Sequence, residues 1–332
     1  MTIRRRHCLG LAAAAVAGGW PALGRAQAPA PGSILEKSVR VIVAYGAGSA
    51  TDTLARFLAD RISKRGGRPV VVENKPGADG NIAAEAAARA PNDMYTLLVS
   101  GSSTHAANAS IYKKLPFDPE ADFTPISNLA SAPFILLVNP QRIQARSIKE
   151  FLDWARAGGG RDLSFASTSV GNRVAGERFR QVANLKAVNV QYRASSQAMT
   201  DLLGGQFDFY FCDVATALPQ VKAGKAVALA VSVRDRLPAL PEVPTLAESG
   251  FPDFDVASWI AMWSAVASTP PNVSATLAQW VSEALDSPEG REFVSGKGLL
   301  PVKSGAATLA ALQRRDTTVW GKIIREAGMQ QP

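Results

Sequence analysis

A glycine-rich stretch, AYGAGSATD at residues 44–52, separates an apolar run, SVRVIVA, from a helical pattern, TLARFLADRISK. Small residues in such a turn let backbone N–H groups approach a ligand, and the N-terminus of the following helix favours negative charge. Ser49 and Thr51 add hydroxyl donors. These groups suit a small anion with several oxygen atoms, such as a carboxylate. A single turn of this kind is explained at least as well by ordinary helix capping, which uses the same residue types.

Five more turns of small polar residues follow other apolar runs. Because those runs are typical of parallel strands, all six turns are expected at the carboxyl ends of strands, where open α/β sheets bind their ligands. Their recurrence at equivalent positions favours one binding cleft over six unrelated turns. The five sequences are NKPGADGN, SGSSTH, ASTSVGN, YRASS and FCDV.

Three charged residues in or beside these turns have alternative roles. Arg193 follows a strand and precedes a helix, where its guanidinium could bind a carboxylate through two hydrogen bonds or face solvent. Asp52 is most simply the N-cap of the helix after the first turn. Asp213 is placed either to accept a hydrogen bond from an amino or hydroxyl group of the ligand or to cap the next helix.

Catalytic and metal chemistry find little support among the side chains. His105 and Cys212 are the only histidine and the only cysteine after residue 28, so a metal site lacks ligands. A serine hydrolase lacks both a G-x-S-x-G elbow and an acid that would orient His105, and neither common nucleotide-binding motif occurs. We expect no enzyme activity, no cofactor and no metal. Cys212 is interpreted as an unreactive thiol at a strand end.

The first 28 residues have the features of an export signal. Arg4, Arg5 and Arg6 precede a short apolar stretch, and the segment ends in the small-residue sequence AQA. The apolar stretch is too short to span a bilayer. The twin-arginine and the general secretory routes both remain open, as does cleavage after Ala26 or Ala28. Either route predicts a periplasmic protein.

The net charge of +8 gives no support to nucleic-acid binding. The export signal contains four arginines and no acidic residue, so the rest of the chain carries only a mild positive surplus. No basic run with interleaved aromatic side chains occurs. We therefore expect no nucleic-acid partner.

The turns are positioned by strands that alternate with helices, which predicts an α/β fold with a parallel sheet. Apolar runs rich in β-branched residues mark the strands. The predicted strands are Val39–Ala44, Pro69–Glu73, Met94–Ser100, Phe134–Val138, Leu163–Ser167, Val188–Tyr192, Phe207–Phe211, Val227–Val233 and Ser258–Ala267. The pattern restarts after Pro140, so we predict two lobes with a cleft between them: residues 36–138 plus 257–332, and residues 139–256.

Long ordered motifs resemble the solute-binding proteins of tripartite tricarboxylate transporters, also called the Bug family of periplasmic binding proteins. The motifs include AYGAGSATDTLARFLADRIS, PVVVENKPGADGNIAAEAAARA, LSFASTSVGNRVAGERF and DLLGGQFDFYFCDVATALPQVKAGKAVALAVS. The similarity runs from about Val39 to the C-terminus. It implies a two-lobe, type II "Venus flytrap" fold, a small carboxylate ligand, no catalytic step and delivery to membrane permease subunits. A monomer is the expectation for this architecture.

The resemblance and the six turns together nominate a set of ligand-binding residues. Those of the first lobe are Tyr45, Gly46, Ala47, Gly48, Ser49, Asp52, Pro76, Gly77, Ala78, Gly80, Thr104 and His105. Those of the second lobe are Ser167, Thr168, Ser169, Gly171, Asn172, Arg193, Ala194, Ser195 and Asp213.

The chain departs from the family's pattern at several of these positions. Ala47-Gly48-Ser49 stands where a proline and two glycines are usual, and Arg193-Ala194 stands where a lysine and a glycine are usual. Asp79 occupies a position that is usually glycine, where an inward carboxylate would repel an anion. The departures bear on the identity of the ligand, for which di- and tricarboxylates, acidic amino acids and aromatic acids all fit.

Two alternative functions stay open. The protein could be a ligand-sensing partner of a membrane sensor kinase, or it could be an exported hydrolase.

Overall fold

The computed structural model describes residues 34–331, so the predicted export signal lies outside the described residues. Nine strands and ten α-helices follow one another in this part of the chain. The strands are β1 Val39–Val43, β2 Val70–Asn74, β3 Tyr95–Gly101, β4 Phe123–Val138, β5 Leu163–Ser167, β6 Ala187–Gln191, β7 Phe209–Asp213, β8 Val227–Val231 and β9 Ala257–Ala265. The helices are α1 Ala50–Gly66, α2 Asn81–Ala88, α3 Asn108–Ile111, α4 Ile148–Arg156, α5 Val170–Val182, α6 Ser195–Leu203, α7 Val214–Lys222, α8 Pro271–Asp286, α9 Pro288–Ser295 and α10 Ala306–Glu326.

The strands form a mixed sheet in the order β2-β1-β3-β9-β4-β7-β5-β6, with β8 also paired to β4. The outer pairs are parallel, as predicted: β1 with β2 and β3, and β5 with β6 and β7. The central strands β4 and β9 are antiparallel to each other and to their other neighbours. The prediction of a parallel sheet is therefore wrong for the centre of the sheet.

Strand β4 is much longer than predicted and joins the two halves of the sheet. Its first part, from Phe123 to Pro133, pairs with β9, and its last part, from Phe134 to Val138, pairs with β7 and β8. The prediction began only at Phe134. Two prolines and two register shifts interrupt the apolar alternation of the first part, which removes the period-2 signal of a strand.

Apolar cores lie on both faces of each half of the sheet. Rings of Phe151, Phe165, Phe179 and Phe209 pack together in one of them. Helix α10 buries Trp320 in this same core. The C-terminal helix therefore contacts residues of the predicted second lobe although the prediction assigns it to the first, and the lobe boundaries stay a prediction.

Within residues 34–331, no helix combines the length and the apolar character needed to cross a membrane.

Candidate ligand-binding site

A cavity of about 400 Å³ lies where the carboxyl ends of β1, β3, β5 and β7 meet the central strands. Residues from the predicted turns form much of its wall: Tyr45, Ala50, Thr51, Asp79, Ser102, Ser103, Thr168, Ser169, Asp213 and Val214. Residues outside those turns complete it: Ala132, Pro133, Ala215, Ser258, Trp259, Ile260, Lys297, Gly298 and Leu299.

Three helices begin at this cavity. Thr51 lies in the first turn of α1, Ser169 is the N-cap of α5 and Asp213 is the N-cap of α7. The unpaired N–H groups and the dipole of each helix end favour an anion. The cavity therefore combines three positive helix ends with the hydroxyl groups of the wall.

The first turn is held by a buried carboxylate that does not line the cavity. Asp52 accepts hydrogen bonds from the Gly48 N–H and Asn74 Nδ2, both at 2.9 Å, and from Arg56 Nε at 3.1 Å. Burial alone would raise the pKa of Asp52, but the bonds from Arg56, Gly48 and Asn74 together hold it below its usual value. The N-cap of α1 is Ser49, whose Oγ accepts from the Asp52 N–H at 3.2 Å. The prediction that Asp52 is the N-cap is wrong, because Asp52 instead ties the turn to Arg56 and Asn74.

The second turn contributes Asp79 to the wall, and none of its predicted ligand-binding residues, Pro76, Gly77, Ala78 and Gly80, lines the cavity. Ala78 and Asp79 have positive φ angles of 47° and 51°, which orient the exposed Asp79 side chain. Its Oδ2 accepts a hydrogen bond from the Tyr112 hydroxyl at 3.2 Å. A Cβ on Gly80 would lie 2.1 Å from Thr104 Oγ1, so Gly80 serves the packing of the turn. The Asp79 carboxylate therefore places a negative charge at the cavity wall. From the sequence, an inward carboxylate at this position is expected to repel an anion.

The third turn supplies Ser102 and Ser103, while Thr104 and His105 lie outside the cavity wall. Thr104 Oγ1 donates to the Asp79 carbonyl oxygen at 2.9 Å and so supports the second turn. Burial raises the pKa of the Tyr45 hydroxyl, and the side chains of Ser103 and Thr104 offset this only in part. Tyr45 therefore stays protonated and is available as a donor.

His105 is a core residue in this structure. It is 2% exposed and stacks on Trp263 with ring centroids 3.7 Å apart. Its Nδ1 lies 3.0 Å from Ser100 Oγ, and its Nε2 has no hydrogen-bond partner among the described residues. Burial lowers the pKa of His105 to about 3. A neutral, enclosed imidazole outside the cavity wall cannot act on a solute there.

A connected group of hydroxyls supports the second-lobe side of the cavity. Thr168 Oγ1 lies 3.3 Å from Ser195 Oγ and 3.2 Å from the Tyr210 hydroxyl, and it accepts from Asn172 Nδ2 at 2.9 Å. Asn172 Oδ1 accepts from the N–H groups of Thr168 and Ser169, which completes a capping box. Ser195 and Asn172 thus hold Thr168 in place from outside the wall. The sequence predicted all three without distinguishing these roles.

Two other predicted residues support the wall from behind. A Cβ on Gly171 would lie 2.0 Å from Ser258 Oγ, so glycine lets the start of α5 lie against β9. Ser167 is buried and shares hydrogen bonds with the Asn189 amide at 2.8 and 3.0 Å. Both residues position the wall and neither lines it.

Asp213 is the N-cap of α7 and also lines the cavity, and its hydrogen bond to a ligand group stays a prediction. Its Oδ1 accepts from the Thr216 N–H at 2.9 Å and caps α7, and the residue lines the cavity. The adjoining Cys212 is fully buried, and burial raises the pKa of its thiol well above the usual value. Cys212 is therefore protonated and enclosed.

The remaining predicted residues do not line the cavity: Gly46, Ala47, Gly48, Pro76, Gly77, Arg193 and Ala194. The Arg193 side chain is exposed. Its role in binding stays a prediction.

Sequence reasoning missed the wall residues that distant segments supply. Trp259 reaches the cavity from the middle of β9, and its Nε1 donates to Asp316 Oδ2 on α10 at 2.8 Å. Lys297, Gly298 and Leu299 come from the segment after α9, where a Cβ on Gly298 would lie 3.5 Å from Ala215. Positive φ at Gly298 (72°) marks a turn, but no local pattern places that turn beside α7.

Comparison with known proteins identifies the family. The model of the tripartite tricarboxylate transporter family receptor, TctC, matches residues 54–329. The chain belongs to this family. It is 31% identical over 296 residues to Protein BugT of Bordetella pertussis, which covers 88% of this chain and 90% of BugT. It is 33% identical over 288 residues to a protein from the tcbD-tcbE intergenic region of Pseudomonas sp. strain P51, covering 86% of this chain and 84% of that protein.

Solved structures of TctC and Bug proteins share the fold. Periplasmic binding protein BugD aligns with a TM-score of 0.72 and 27% identity over 90% of this chain and all of that one (100%). R. palustris Rpa4515 with adipate aligns with a TM-score of 0.75 and 28% identity, over 88% of this chain and 98% of that one. MatC of Rhodopseudomonas palustris with bound malate aligns with a TM-score of 0.71 and 28% identity, over 87% of this chain and 99% of that one. The predicted periplasmic-binding-protein fold is confirmed. Family and fold are those of solute-binding proteins and not those of enzymes.

Proposed function

We propose that this TctC-family protein is a periplasmic receptor that captures a small carboxylate in the cavity and delivers it to the membrane subunits of a tripartite transporter. The observation that carries the proposal is the convergence of the N-termini of α1, α5 and α7 on one cavity. Its volume of about 400 Å³ suits a small solute. The adipate and malate held by two structural relatives are carboxylates of that size.

One carboxylate group of the solute binds at the start of α1. Thr51, Ser102 and Ser103 surround this position with hydroxyl groups, and the dipole of the 17-residue helix adds positive potential. Thr168 and Ser169 then approach the solute from the second lobe. Exclusion of water between the lobes strengthens each of these hydrogen bonds, because the local dielectric constant falls.

The rest of the solute contacts a mixed surface. Trp259, Ile260 and Val214 offer apolar contact, while Asp79 and Asp213 are acidic and Lys297 is basic. A hydroxyl or ammonium group of the solute would donate a hydrogen bond to the Asp213 carboxylate. The Oδ1 atom of that carboxylate also accepts the bond that caps α7. The predicted export signal and periplasmic location agree with this role, and a monomer is sufficient for it.

Native mass spectrometry of the exported protein, purified gently from the periplasm, tests the proposal. We expect a co-purifying solute of a few hundred daltons or less that contains a carboxyl group and does not change on incubation. Thermal-shift titration with adipate, malate and succinate follows, since stabilisation grows with ligand concentration relative to Kd. Absence of both a bound acid and a carboxylate-dependent rise in melting temperature would refute the carboxylate proposal, and turnover of a bound solute would refute a carrier function.

A variant pair locates the binding site. Ser103→Ala removes a hydroxyl from the wall, and Ser196→Ala removes an exposed one near the start of α6, outside it. Loss of one hydrogen bond to a charged group costs about 1.5–3 kcal/mol, so Ser103→Ala should weaken binding about tenfold or more. Equal affinities for the two variants would place the solute elsewhere.

A further inference from the structure

A second concavity, of about 290 Å³, lies at the far end of the second half of the sheet. Arg156, Arg161 and Lys186 line it. These residues lie at the end of α4 and just before the amino ends of β5 and β6. The solute cavity lies at the carboxyl ends of strands in the same sheet, so the two sites are at opposite ends of β5.

The two arginines of this concavity are held without using a carboxylate. Arg156 Nη2 donates to the Ala183 carbonyl oxygen at 3.0 Å, and Arg161 Nε donates to the Trp154 carbonyl oxygen at 3.1 Å. The Arg161 guanidinium also lies over the Trp154 ring, 4.9 Å from its centroid. These contacts hold each guanidinium in place and leave it without a carboxylate partner.

Two acidic side chains of α4 and α5 pair with other cations. Asp153 pairs with Lys149 at 2.7 Å, and Glu177 pairs with Arg180 at 2.8 Å. Asp162 follows Arg161 in the chain and is exposed. Within residues 34–331, neither arginine of the concavity nor Lys186 has a carboxylate at ion-pair distance.

A third concavity, of about 280 Å³, provides a control within the molecule. Arg61, Lys64 and Arg65 line it, so it also carries three cations. There, Arg61 pairs with Glu289, Lys64 with Asp60 and Arg65 with Glu283. A basic concavity elsewhere on this protein is thus neutralised by its own carboxylates, and the one at Arg156 is not.

We propose that the concavity at Arg156, Arg161 and Lys186 docks an acidic segment of a partner protein. Guanidinium groups bind carboxylates through paired hydrogen bonds, and three cations spread over an open surface suit several carboxylates in succession. Docking at this end leaves the solute cavity accessible.

Fluorescence anisotropy with a labelled hexaglutamate peptide at low ionic strength tests this site on the whole exported protein. The variant R156Q/R161Q/K186Q is compared with R61Q/K64Q/R65Q, which loses the same net charge. We expect the first variant to bind the peptide at least about tenfold more weakly and the second to stay within about twofold of the unaltered protein. Equal losses would show an effect of net charge alone and would overturn the proposal.

Three further measurements complete the test. E283Q/E289Q frees Arg61 and Arg65, so it should strengthen peptide binding; no gain would contradict the argument from neutralisation. Displacement of the peptide by an equal concentration of inorganic phosphate would mean a small-anion site and refute docking of an acidic segment. If the triple variant does not fold, Lys186→Gln alone, at an exposed side chain, should weaken binding about threefold, and unchanged binding would refute the proposal.

Discussion

Asp52 and Asp213 both lie where a strand gives way to a helix, but only Asp213 faces the cavity. Asp52 is 2% exposed, and both of its oxygens accept hydrogen bonds from Arg56 and from Gly48 or Asn74. Asp213 is partly exposed and caps its helix with one oxygen. The same residue type at similar turns therefore holds the scaffold in one case and contributes to the binding wall in the other.

The same substitution at both positions tests this difference. Asp52→Asn should lower the free energy of unfolding by about 3 kcal/mol, because an amide nitrogen then faces a buried donor and the Arg56 pairing loses its charge. Chemical denaturation at neutral pH measures it. Asp213→Asn is the control and should cost less than about 0.5 kcal/mol, since asparagine caps a helix as well as aspartate. Similar losses at both positions would contradict the division into scaffold and wall.

His105 extends the comparison to a second predicted site residue that lies in the scaffold. Its pKa is lowered from 6.5 to about 3 in the folded protein because it is buried. The neutral form is therefore favoured by folding: the stabilisation is fully present above pH 6.5 and is lost as the pH falls from 6.5 towards 3. The loss is about 1.4 kcal/mol per pH unit, or about 2 kcal/mol at pH 5.

Denaturation curves between pH 7 and pH 4.5 test this expectation by comparing the unaltered protein with His105→Leu. The variant cannot titrate at this position, so its stability should fall less steeply with acid, whatever its stability at pH 7. Parallel pH profiles for the two proteins would show that His105 does not contribute to acid sensitivity.

The parallel strands on either side of β4 and β9 could be predicted because each is a short apolar run that is recognisable in the local sequence. Strands β1, β5 and β7 read as short apolar runs, and each leads into a turn that reaches the cavity wall. The first part of β4 could not be predicted, since its prolines and register shifts hide the alternation.

The candidate site was predictable at the level of turns but not of side chains. Thr168 and Ser195 belong to similar polar turns, and only their packing around Tyr210 places Thr168 in the wall and Ser195 behind it. Lys297 reaches the cavity through contacts of its segment with α7 and with β4, where Leu300 pairs with Ser131. Such contacts join residues that are far apart in the chain, so a local sequence pattern cannot predict them.

The charge of Asp213 should affect the choice of solute more than the affinity for carboxylates in general. Malate and succinate differ by one hydroxyl group, so their relative affinity isolates a hydrogen bond from that hydroxyl. Asp213→Asn should reduce the preference for malate over succinate about tenfold, because a hydrogen bond to a charged group contributes about 1.5–3 kcal/mol. Calorimetry on both proteins gives the ratio. An unchanged ratio would assign Asp213 to helix capping alone.

Arg193 should have the smallest effect, because it is exposed and lies outside the cavity wall. An exposed cation contributes about 0.2–1 kcal/mol to a charged partner, so Arg193→Ala should weaken carboxylate binding by at most about fivefold and leave the fold intact. Arg314→Ala, which removes an exposed arginine of α10, corrects for the change in net charge. Equal affinities of the two variants in calorimetry would remove Arg193 from the site. A loss well above tenfold would instead mean that the β6–α6 turn moves onto the solute on binding, since only a desolvated guanidinium paired with a carboxylate contributes that much.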